Sequence, residues 1–384
     1  MSACGPLSGV KVSDLTINVL GPVATQALGD MGADVIKVEP REGDPLRQTG
    51  PARNSGVSAF FLNMNRNKRS IMLDLKDPQE AEKLHELVDQ ADVFVHSMRA
   101  KAIEKLGFGH ETLCARNQRL IYASAPGYSS QGPYRDRPAY DDVIQGQSGL
   151  ADMMDIATGE PRFLPTVIAD KFCGTQLASA ISMALYARER TGMGQRVEVP
   201  MLETMLAFNL VEHLWGGTFG DGDLGYGRAL SRQRRPYATQ DGFLCVMPQS
   251  DVQWRDFFGI CKSPQLAHDE RFATLAARTR HIDALYGIVA EHLKLRTTGA
   301  WQTDLDACAI PNTPIARLAE LPSDPYLRET GFFFPYEHPS EGPLVGISIP
   351  QKFSGTPASI RRAPPLLGQH NEEILGSKNR EAEA

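Results

Sequence analysis

Short apolar runs and amphipathic stretches alternate along the first 125 positions of the chain. The β-branched and aliphatic runs predict strands at Val10–Leu15, Asp34–Glu39, Arg69–Leu75, Asp92–Val95 and Leu120–Ser124. Apolar residues at a helical spacing predict helices at Pro22–Met31, Pro78–Gln90 (capped by Asp77) and Ala100–Leu106. Strands that alternate with helices of this length predict a mostly parallel, doubly wound α/β sheet.

The stretch Pro165–Met201 contains the most promising polar position. A short β-type run, Thr166–Ile168, precedes Asp170, and a second one follows at Gln195–Val199. Between them a helix is predicted from apolar or small residues at Cys173, Leu177, Ala180, Ile181, Ala184 and Leu185, with Arg188, Arg190, Gly192 and Gly194 at its end. Open α/β sheets place their chemistry at strand–helix junctions. Asp is also a frequent helix N-cap, and position alone favours that simpler role for Asp170.

The second half of the chain has a different sequence pattern. Met201–Trp215 predicts a helix, and Gly216–Gly227 holds six glycines in twelve residues, which indicates either a domain linker or a mobile loop. Asp241-Gly242 predicts a hairpin turn between Tyr237–Thr239 and Phe243–Met247. Further helices are predicted at Asp251–Gly259, His281–Leu293, Thr298–Asp306 and Asn371–Leu375, strands within Phe332–Ile349 turning at Gly342-Pro343, and a solvated tail at Gly376–Ala384.

These patterns divide the 384 residues into two domains. Residues 1–205 and 326–384 are expected to form a large, discontinuous Rossmann-like domain. Residues 206–224 are expected to be a linker helix and glycine-rich loop. Residues 225–325 are expected to form a smaller α+β domain.

Composition limits the classes of protein to which this chain could belong. A hydrophobic fraction of 42% and a charged fraction of 22% are ordinary for a globular chain, and the net charge of −6 argues weakly against nucleic-acid binding. Six scattered cysteines without a CxxC motif indicate reduced thiols, and neither a signal peptide nor an 18-residue apolar run is present. We therefore expect a soluble, cytoplasmic protein with no membrane or nucleic-acid partner.

Several common enzyme motifs are missing. The segment after the first strand, Thr16–Pro22, has one glycine and no GxGxxG, and the chain contains no P-loop, HExxH or GxSxG motif. The histidines show no metal-ligand spacing, and Cys173 on the apolar stripe is interpreted as a core residue. The residues alone indicate a two-domain α/β enzyme with one candidate carboxylate.

Five segments in order carry a specific resemblance: LSGVKVSDLT, LGDMGADVIKVEP, NRNKRSIMLDL, LIYASAPGYSSQGPYRDRPAYD and ERTGMGQRVEVPM. They closely resemble the class III CoA-transferases, a family that includes formyl-CoA and carnitine CoA-transferases, with α-methylacyl-CoA racemases as relatives. APPLLGQHNEEIL and IPNTPIARLAELPSDPYLRETG also look like segments of this family. The resemblance runs from Leu7 to about Leu375.

This resemblance implies an activity and a nucleophile. The family's catalytic aspartate corresponds to Asp170 in IADKFCGT. It would move CoA from an acyl-CoA donor to a free acid through aspartyl anhydride and aspartyl-CoA thioester intermediates, with no metal. The nucleophile must be ionised, which a helix N-terminus would favour. The resemblance also implies an interlocked homodimer, and Gly216–Gly227 is the candidate lid.

The resemblance also implies which residues contact CoA. They are Asn18, Val19, Leu73, Asp74, Leu75, Lys76, Ser97, Met98, Arg99, Lys105, Leu106 and Tyr140. Ser97, in HSMRAK, replaces the asparagine of many relatives. Pro40 stands where some members have an arginine, so Arg41 or Arg47 is expected to serve the nucleotide phosphates instead.

Two alternatives remain beside the transferase. A racemase needs an acid/base pair, typically His with Asp, and the corresponding segment Tyr140–Gly149 contains no histidine. A non-catalytic CoA-binding protein is the other alternative. Arg232, Arg234 and Arg235 are interpreted as a solvated basic turn by default, or as partners for a distal carboxylate of the acid substrate.

Overall fold

The computed structural model describes residues 5–376. Its strands, in chain order, are β1 (Lys11–Leu15), β2 (Asp34–Glu39), β3 (Lys68–Met72), β4 (Val93–His96), β5 (Ile121–Ser124), β6 (Gln195–Glu198), β7 (Tyr237–Ala238), β8 (Phe243–Val246), β9 (Asn312–Pro314), β10 (Phe333–His338) and β11 (Gly342–Ile347). The five early strands and β6 lie where the apolar runs predicted them, within three residues at each end.

The helices are α1 (Leu20–Asp30), α2 (Ala59–Leu62), α3 (Pro78–Asp89), α4 (Ala100–Lys105), α5 (His110–Arg116), α6 (Asp141–Gln147), α7 (Leu150–Thr158), α8 (Ile168–Thr191), α9 (Met201–His213), α10 (Gly227–Leu230), α11 (Asp251–Ile260), α12 (Leu275–Arg280), α13 (Ile282–Leu293), α14 (Thr298–Ala307), α15 (Pro325–Glu329) and α16 (Asn371–Leu375). Short 3₁₀ segments occupy Pro45–Gln48, Trp215–Phe219, Pro264–His268 and Leu318–Ser323.

β1 to β6 form one sheet in the order β3-β2-β1-β4-β5-β6, and every neighbouring pair is parallel. This confirms the predicted parallel α/β sheet. The strand order reverses direction between β1 and β4, and this is the strand order of a doubly wound dinucleotide-binding sheet. In such sheets ligands bind beyond the carboxyl ends of the strands, at the point of reversal.

Helices cover both faces of this sheet. On one face a core cluster includes Phe94 and Tyr122 from the strands with Leu84, Ile103 and Leu113 from α3, α4 and α5. On the other face α1 packs against Val35, whose side chain points away from the neighbouring Ile36 and Val38 of that cluster. α1 and α8 also pack closely against each other.

The chain divides into two compact units, one built from residues up to Ser148, Leu164–Ala207 and residues from Glu329 onward, the other from Gly149–Phe163 and Phe208–Arg328. The sequence assigned Gly149–Phe163 to the large domain instead. These residues belong with the second unit because α7 contacts α10 and the Ile156 carbonyl accepts a hydrogen bond from Arg232.

The second unit combines a three-stranded antiparallel sheet, β7-β8-β9, with α11 to α14. The turn between β7 and β8 lies at the predicted Asp241-Gly242. Its core is aromatic and includes Trp254, Phe257, Phe258 and Trp301. The Trp301 indole N–H donates to the Leu293 carbonyl at 2.9 Å, so this buried donor is satisfied.

The C-terminal segment packs back onto the first unit. The Arg361 guanidinium donates to the carbonyls of Gly29, Gly32 and Ala33 at the end of α1. The His370 N–H donates to the Ser70 carbonyl of β3 at 2.9 Å. The predicted tail beyond Gly376 lies outside the described residues.

Two local predictions are wrong. Thr166–Ile168 is not a strand, because Val167 has φ −73° and ψ 70°, an inverse γ-turn in which the Ile168 N–H bonds to the Thr166 carbonyl at 2.8 Å. The turn of the late hairpin lies before Gly342, because His338 pairs with Gly342 and leaves residues 339–341 as the loop.

Candidate active site

Asp170 is the third residue of α8. The helix N-cap is Val167, and no side chain caps this end, so the simpler prediction that Asp170 is the N-cap is wrong. The Asp170 side chain is half-buried. Its position in the first turn places the carboxylate beside backbone N–H groups that have no partner within the helix.

Asp141, the first residue of α6, fixes the backbone at Asp170. Its buried carboxylate accepts the Asp170 N–H at 3.0 Å and the Gln145 side-chain amide at 2.6 Å. Gln145 also accepts the Leu164 N–H at 2.9 Å and donates to the Thr166 carbonyl at 3.3 Å. Asp141 and Gln145 therefore hold both the start of α8 and the segment that enters it.

Burial, followed by the charges of Asp141 and Asp142, raises the pKa of Asp170 from 3.8 to about 7. The sequence predicted that a helix N-terminus would favour the ionised form. In the structure, burial and two neighbouring carboxylates favour the protonated form instead. At neutral pH both charge states of Asp170 are therefore populated.

Cys173, one turn further along α8, is fully buried. Burial and the charges of Asp170 and Asp141 raise the pKa of its thiol to about 12, and its Sγ lies 3.7 Å from the Met201 carbonyl oxygen. A thiol in this state is a poor nucleophile. This agrees with the interpretation of Cys173 as a core residue.

The predicted CoA contacts follow the carboxyl ends of the parallel strands. Asn18 and Val19 follow β1, Leu73 to Lys76 follow β3, and Ser97 to Arg99 follow β4, while Lys105 and Leu106 end α4. β1 and β4 flank the point where the strand order reverses, so their loops are adjacent there. Tyr140, directly before α6, exposes 68% of its surface.

Asn18 has φ 61°, a left-handed conformation that asparagine tolerates better than most residues. Its N–H donates to Asp44 at 3.2 Å. Within the next set of predicted contacts, the Leu73 side chain belongs to the buried core, and Asp74 accepts the Lys76 N–H at 3.0 Å. In the loop after β3, the groups available to a ligand are therefore backbone groups and the exposed Lys76 side chain.

The two arginines proposed for the phosphates differ. Arg47 is buried, its guanidinium bonds Glu39 through two nitrogens at 2.8 and 2.7 Å, and it also donates to the Pro365 carbonyl at 3.1 Å. These structural contacts rule out Arg47 as a phosphate ligand. Arg41 is exposed, with its Nη2 3.3 Å from Glu80 Oε1, and it keeps the proposed role.

A buried charge network supports the loop after β1, and the sequence did not predict it. Lys37 donates to Asp44 at 2.8 Å and to the Thr16 carbonyl at 2.7 Å, and Lys68 lies 3.4 Å from Asp14. Although burial opposes it, the charges of Lys68 and Lys37 hold the pKa of Asp14 below its usual range. Burial lowers the pKa of Lys68 to about 8. These groups hold Thr16 and Asn18 in place.

A sequence profile described as CoA-transferase family III matches residues 7–371. This range contains the sheet, Asp170 and every predicted CoA contact. The chain belongs to CoA-transferase family III.

Relatives in this family extend along nearly the whole chain. The succinate–glutarate CoA-transferase of Agrobacterium fabrum is 34% identical over 96% of this chain and 95% of its own length. The formyl-CoA:oxalate CoA-transferase of Rhodopseudomonas palustris is 33% identical over 96% and 92%. The human succinyl-CoA:glutarate CoA-transferase is 30% identical over 98% and 86%.

Two solved structures share this fold. A CAIB/BAIF family protein from Brucella suis is 31% identical, with a TM-score of 0.81 over 97% of this chain and 99% of that protein. Rv3272 from Mycobacterium tuberculosis is 29% identical, with a TM-score of 0.84 over 97% and 100%.

The glycine-rich segment Gly216–Gly227 is a closed loop of the second unit. Gly216 packs against Gly222, where an added Cβ would lie 2.6 Å from backbone atoms of Gly216. Its ends are tied, because the Gly225 N–H donates to the His213 carbonyl at 2.8 Å and Trp215 stacks on Tyr226 at 5.0 Å. The compact loop contains a 3₁₀ turn, Trp215–Phe219, which its glycine content did not predict.

Two absences hold within residues 5–376. No group of three or more His, Cys, Asp and Glu side chains could hold a metal ion. No helix of this range is long and apolar enough to cross a membrane.

Proposed function

We propose that this chain transfers CoA from an acyl-CoA donor to a free carboxylic acid, with Asp170 as the covalent nucleophile. The observation that carries the proposal is a half-buried aspartate in the first turn of α8 of a family III CoA-transferase, with its pKa raised to about 7. A more basic carboxylate is a stronger nucleophile once it is ionised.

In the proposed reaction, CoA is released as a thiolate and then attacks again, so that no CoA is lost. The Asp170 carboxylate attacks the thioester carbonyl carbon, and the C–S bond breaks to give an acyl-aspartyl anhydride and CoA thiolate. The thiolate attacks the aspartyl carbonyl carbon and releases the donor acid, leaving an aspartyl-CoA thioester. The acceptor carboxylate attacks this thioester to form a second anhydride, which the released thiolate opens at the acyl carbon, regenerating Asp170.

The neighbours of Asp170 have separate roles in this scheme. Asp141 and Gln145 fix the backbone at the start of α8, and a tetrahedral oxyanion requires main-chain N–H donors. A hydrolysable anhydride requires that water be kept out. Gly216–Gly227 stays the candidate that the sequence predicts for that role.

CoA is proposed to bind across the carboxyl ends of β1, β3 and β4. The contacts are Asn18, Val19, Leu73, Asp74, Leu75, Lys76, Ser97, Met98, Arg99, Lys105, Leu106 and Tyr140, with Arg41 near the phosphates. The position of the loops after β1 and β4 at the reversal of strand order supports this proposal.

The assembly and compartment are also proposals. Large apolar side chains are exposed on α8 and α9, including Met183 at 68%, Tyr186 at 65% and Val211 at 82%. Apolar surface of this extent favours coverage by a second copy, in line with an interlocked homodimer. The five described cysteines are free thiols, which favours a reducing compartment such as the cytoplasm.

Activity of two Asp170 variants tests the proposed function. Asp170→Asn and Asp170→Ala should each lower CoA transfer at least about a thousand-fold, because both remove the nucleophile. Asp142→Asn, assayed on the high-pH plateau of the rate, is the control, since it removes a nearby exposed carboxylate and leaves the nucleophile. Unchanged transfer in a folded Asp170→Ala protein would refute the role of Asp170. Exchange of the Cα proton with solvent deuterium, without CoA transfer, would favour the racemase alternative.

A further inference from the structure

His96, the last residue of β4, is a buried histidine directly before one of the proposed CoA loops. That loop, Ser97–Arg99, connects β4 to α4 and consists of three proposed CoA contacts. It is named the β4 loop below. β4 ends beside the point where the strand order reverses, and parallel sheets of this kind bind their ligands at that edge. The conformation of the β4 loop therefore matters for the proposed site.

The His96 side chain fixes the backbone of the β4 loop. The Met98 N–H donates to the His96 Nδ1 at 3.2 Å. Among residues 5–376, no other side chain forms a hydrogen bond with the backbone of Ser97, Met98 or Arg99. The Met98 side chain also packs against the core cluster on this face of the sheet. The hydrogen bond and this packing together set the direction of the loop.

His96 is in the charge state that can accept this hydrogen bond. Burial lowers the pKa of His96 to about 4, so the ring is neutral at pH 7. Because Nδ1 accepts the Met98 N–H, the proton of the neutral ring is on Nε2. A protonated histidine carries a donor on both ring nitrogens and could not accept the Met98 N–H.

Packing alone does not account for a histidine at this position. The His96 ring lies 6.0 Å from the Phe94 ring and 5.3 Å from the Tyr122 ring, centroid to centroid, so its surroundings are aromatic. The His96 Nε2 is buried and has no hydrogen-bond partner among residues 5–376. A buried donor without a partner costs stability, and an apolar side chain would avoid that cost. An apolar side chain could not supply the acceptor for Met98.

The other two proposed CoA loops are fixed in a similar way. After β1, the Asn18 N–H donates to the Asp44 carboxylate at 3.2 Å. After β3, the Lys76 N–H donates to the Asp74 carboxylate at 3.0 Å. In each loop a side-chain acceptor holds the backbone N–H of a proposed contact residue. The β4 loop has the same arrangement, with a neutral imidazole in place of a carboxylate.

We propose that His96 is a positioning residue that holds the β4 loop in the conformation that binds acyl-CoA. It acts through the Met98 N–H and does not touch the reacting atoms. His96 is not among the CoA contacts that the family resemblance implies. Its role rests on the proposed function in one respect, the binding of CoA at the β4 loop, and it requires neither turnover nor Asp170.

Steady-state kinetics of His96 variants tests this role. His96→Leu removes the acceptor and should raise the KM for acyl-CoA about five-fold or more, with kcat within about two-fold of the wild type. His96→Asn should stay within about two-fold of the wild type in both constants, because its side-chain oxygen can lie where Nδ1 lies. His96→Gln places its amide near the position of Nε2 and should behave as His96→Leu does. The glutamine variant replaces the leucine variant in the test if the leucine variant does not fold.

His110→Leu is the matched control. His110 is half-buried and packs edge-on against the same Tyr122 ring, at 5.4 Å between ring centroids. In the described part of the chain it forms no hydrogen bond with the β4 loop. His110→Leu therefore removes a histidine from the same aromatic surroundings without removing a loop contact. It should leave KM and kcat within about two-fold of the wild type.

Calorimetric titration with CoA separates the role of His96 from the proposed function. The titration uses Asp170→Ala, which lacks the proposed nucleophile. CoA should bind Asp170→Ala/His96→Leu about five-fold more weakly, or weaker still, than Asp170→Ala, and Asp170→Ala/His96→Asn should bind as Asp170→Ala does.

Each outcome supports or overturns one of the two proposals. This binding pattern in a wild-type protein that transfers no CoA overturns only the proposed function. Unchanged CoA binding and KM in His96→Leu, or an asparagine variant as weak as the leucine variant, overturns the role of His96. A fall in kcat with an unchanged KM also overturns it. A protein that binds no CoA overturns both proposals.

Discussion

The folded chain disfavours the ionised form of Asp170, which is the ordinary charge state of an aspartate at neutral pH. Burial, Asp141 and Asp142 raise its pKa to about 7, so the ionised form is less stable in the folded protein than in the unfolded chain. A group with this shift costs stability as the pH rises from about 4 to 7. The proposed reactivity of Asp170 and this cost have the same physical cause.

Asp170→Asn should therefore stabilise the fold, and more so at higher pH. The native state binds a proton at Asp170 between about pH 4 and 7 that the unfolded state has already lost, so the wild-type penalty grows over that window and is constant above it. We expect the gain from Asp170→Asn to be about 2 kcal/mol larger at pH 8 than at pH 5. Urea unfolding at both pH values measures it. Asp221→Asn, at an exposed loop position, is the control and should change stability by less than about 0.5 kcal/mol at either pH. An equal effect of Asp170→Asn at both pH values would contradict the raised pKa.

Asp142→Asn should shift the pH dependence of transfer. The proposed mechanism requires an ionised Asp170, so the rate of transfer should rise with pH through about 7 in the wild type. Removing the negative charge of Asp142 lowers the pKa of Asp170, and the rising limb should move to lower pH, with the plateau rate unchanged within about two-fold. Single-turnover rates between pH 5 and 9 give both profiles. A shift to higher pH, or none, would show that Asp142 does not act on Asp170.

At the scale of elements, the contact between α1 and α8 depends on a missing side chain. A Cβ at Gly174 of α8 would lie 2.5 Å from the Leu20 carbonyl oxygen at the start of α1. That end of α1 follows Asn18 and Val19, the proposed CoA contacts of the first loop. The two helices therefore connect the segment that carries the proposed nucleophile to the loop that is proposed to bind CoA.

Gly174→Ala should lower the free energy of unfolding by about 1–3 kcal/mol, because a backbone carbonyl leaves no room for the methyl group. It should also raise the KM for acyl-CoA, since α1 must move. Gly287→Ala, in the interior of α13 with no atom within 4 Å of the added Cβ, is the matched control and should be neutral or stabilising by up to about 1 kcal/mol. Denaturant unfolding and steady-state kinetics measure both. Equal effects of the two substitutions would refute the close packing.

Sequence reasoning succeeded where local pattern decides the structure. The early strands are apolar and β-branched, and the helices between them have a single apolar face, so the parallel sheet was predictable. Thr166–Ile168 has the same composition as a strand but follows Pro165 and folds into an inverse γ-turn instead. Composition favours a strand there, but the hydrogen bond from the Ile168 N–H to the Thr166 carbonyl closes a turn instead.

The missed parts of the site depend on partners that are distant in the sequence. Asp141 lies 29 positions from Asp170, and Lys68 lies 54 positions from Asp14. A charged residue in an apolar strand, such as Lys37, indicates a buried ion pair. The neighbouring sequence does not show which residue is its partner. The sequence YDDVIQ likewise shows Asp141 and Gln145 at an i,i+4 spacing, but it does not show that they hold the start of α8.

At the scale of the whole molecule, each unit exposes apolar side chains that an isolated chain would leave in water. Met183 and Tyr186 belong to the first unit, and Val211 and Phe219 to the second. We expect light scattering coupled to size exclusion to give a mass of about twice 42.1 kDa. Lysine at both Met183 and Tyr186 should weaken the assembly, while lysine at the exposed Leu318 should not. A stable wild-type monomer at micromolar concentration would contradict the proposed dimer.

We propose that CoA passes through a covalent bond to Asp170. This can be measured by mixing the protein with acyl-CoA, quenching, treating with hydroxylamine, and identifying the modified residue by peptide mass spectrometry. We expect a CoA thioester or acyl adduct on Asp170, its conversion by hydroxylamine to the hydroxamate at that residue, and no adduct in Asp170→Asn. A protein that transfers CoA at its normal rate while its adduct forms at another residue, or forms equally in Asp170→Asn, would contradict it.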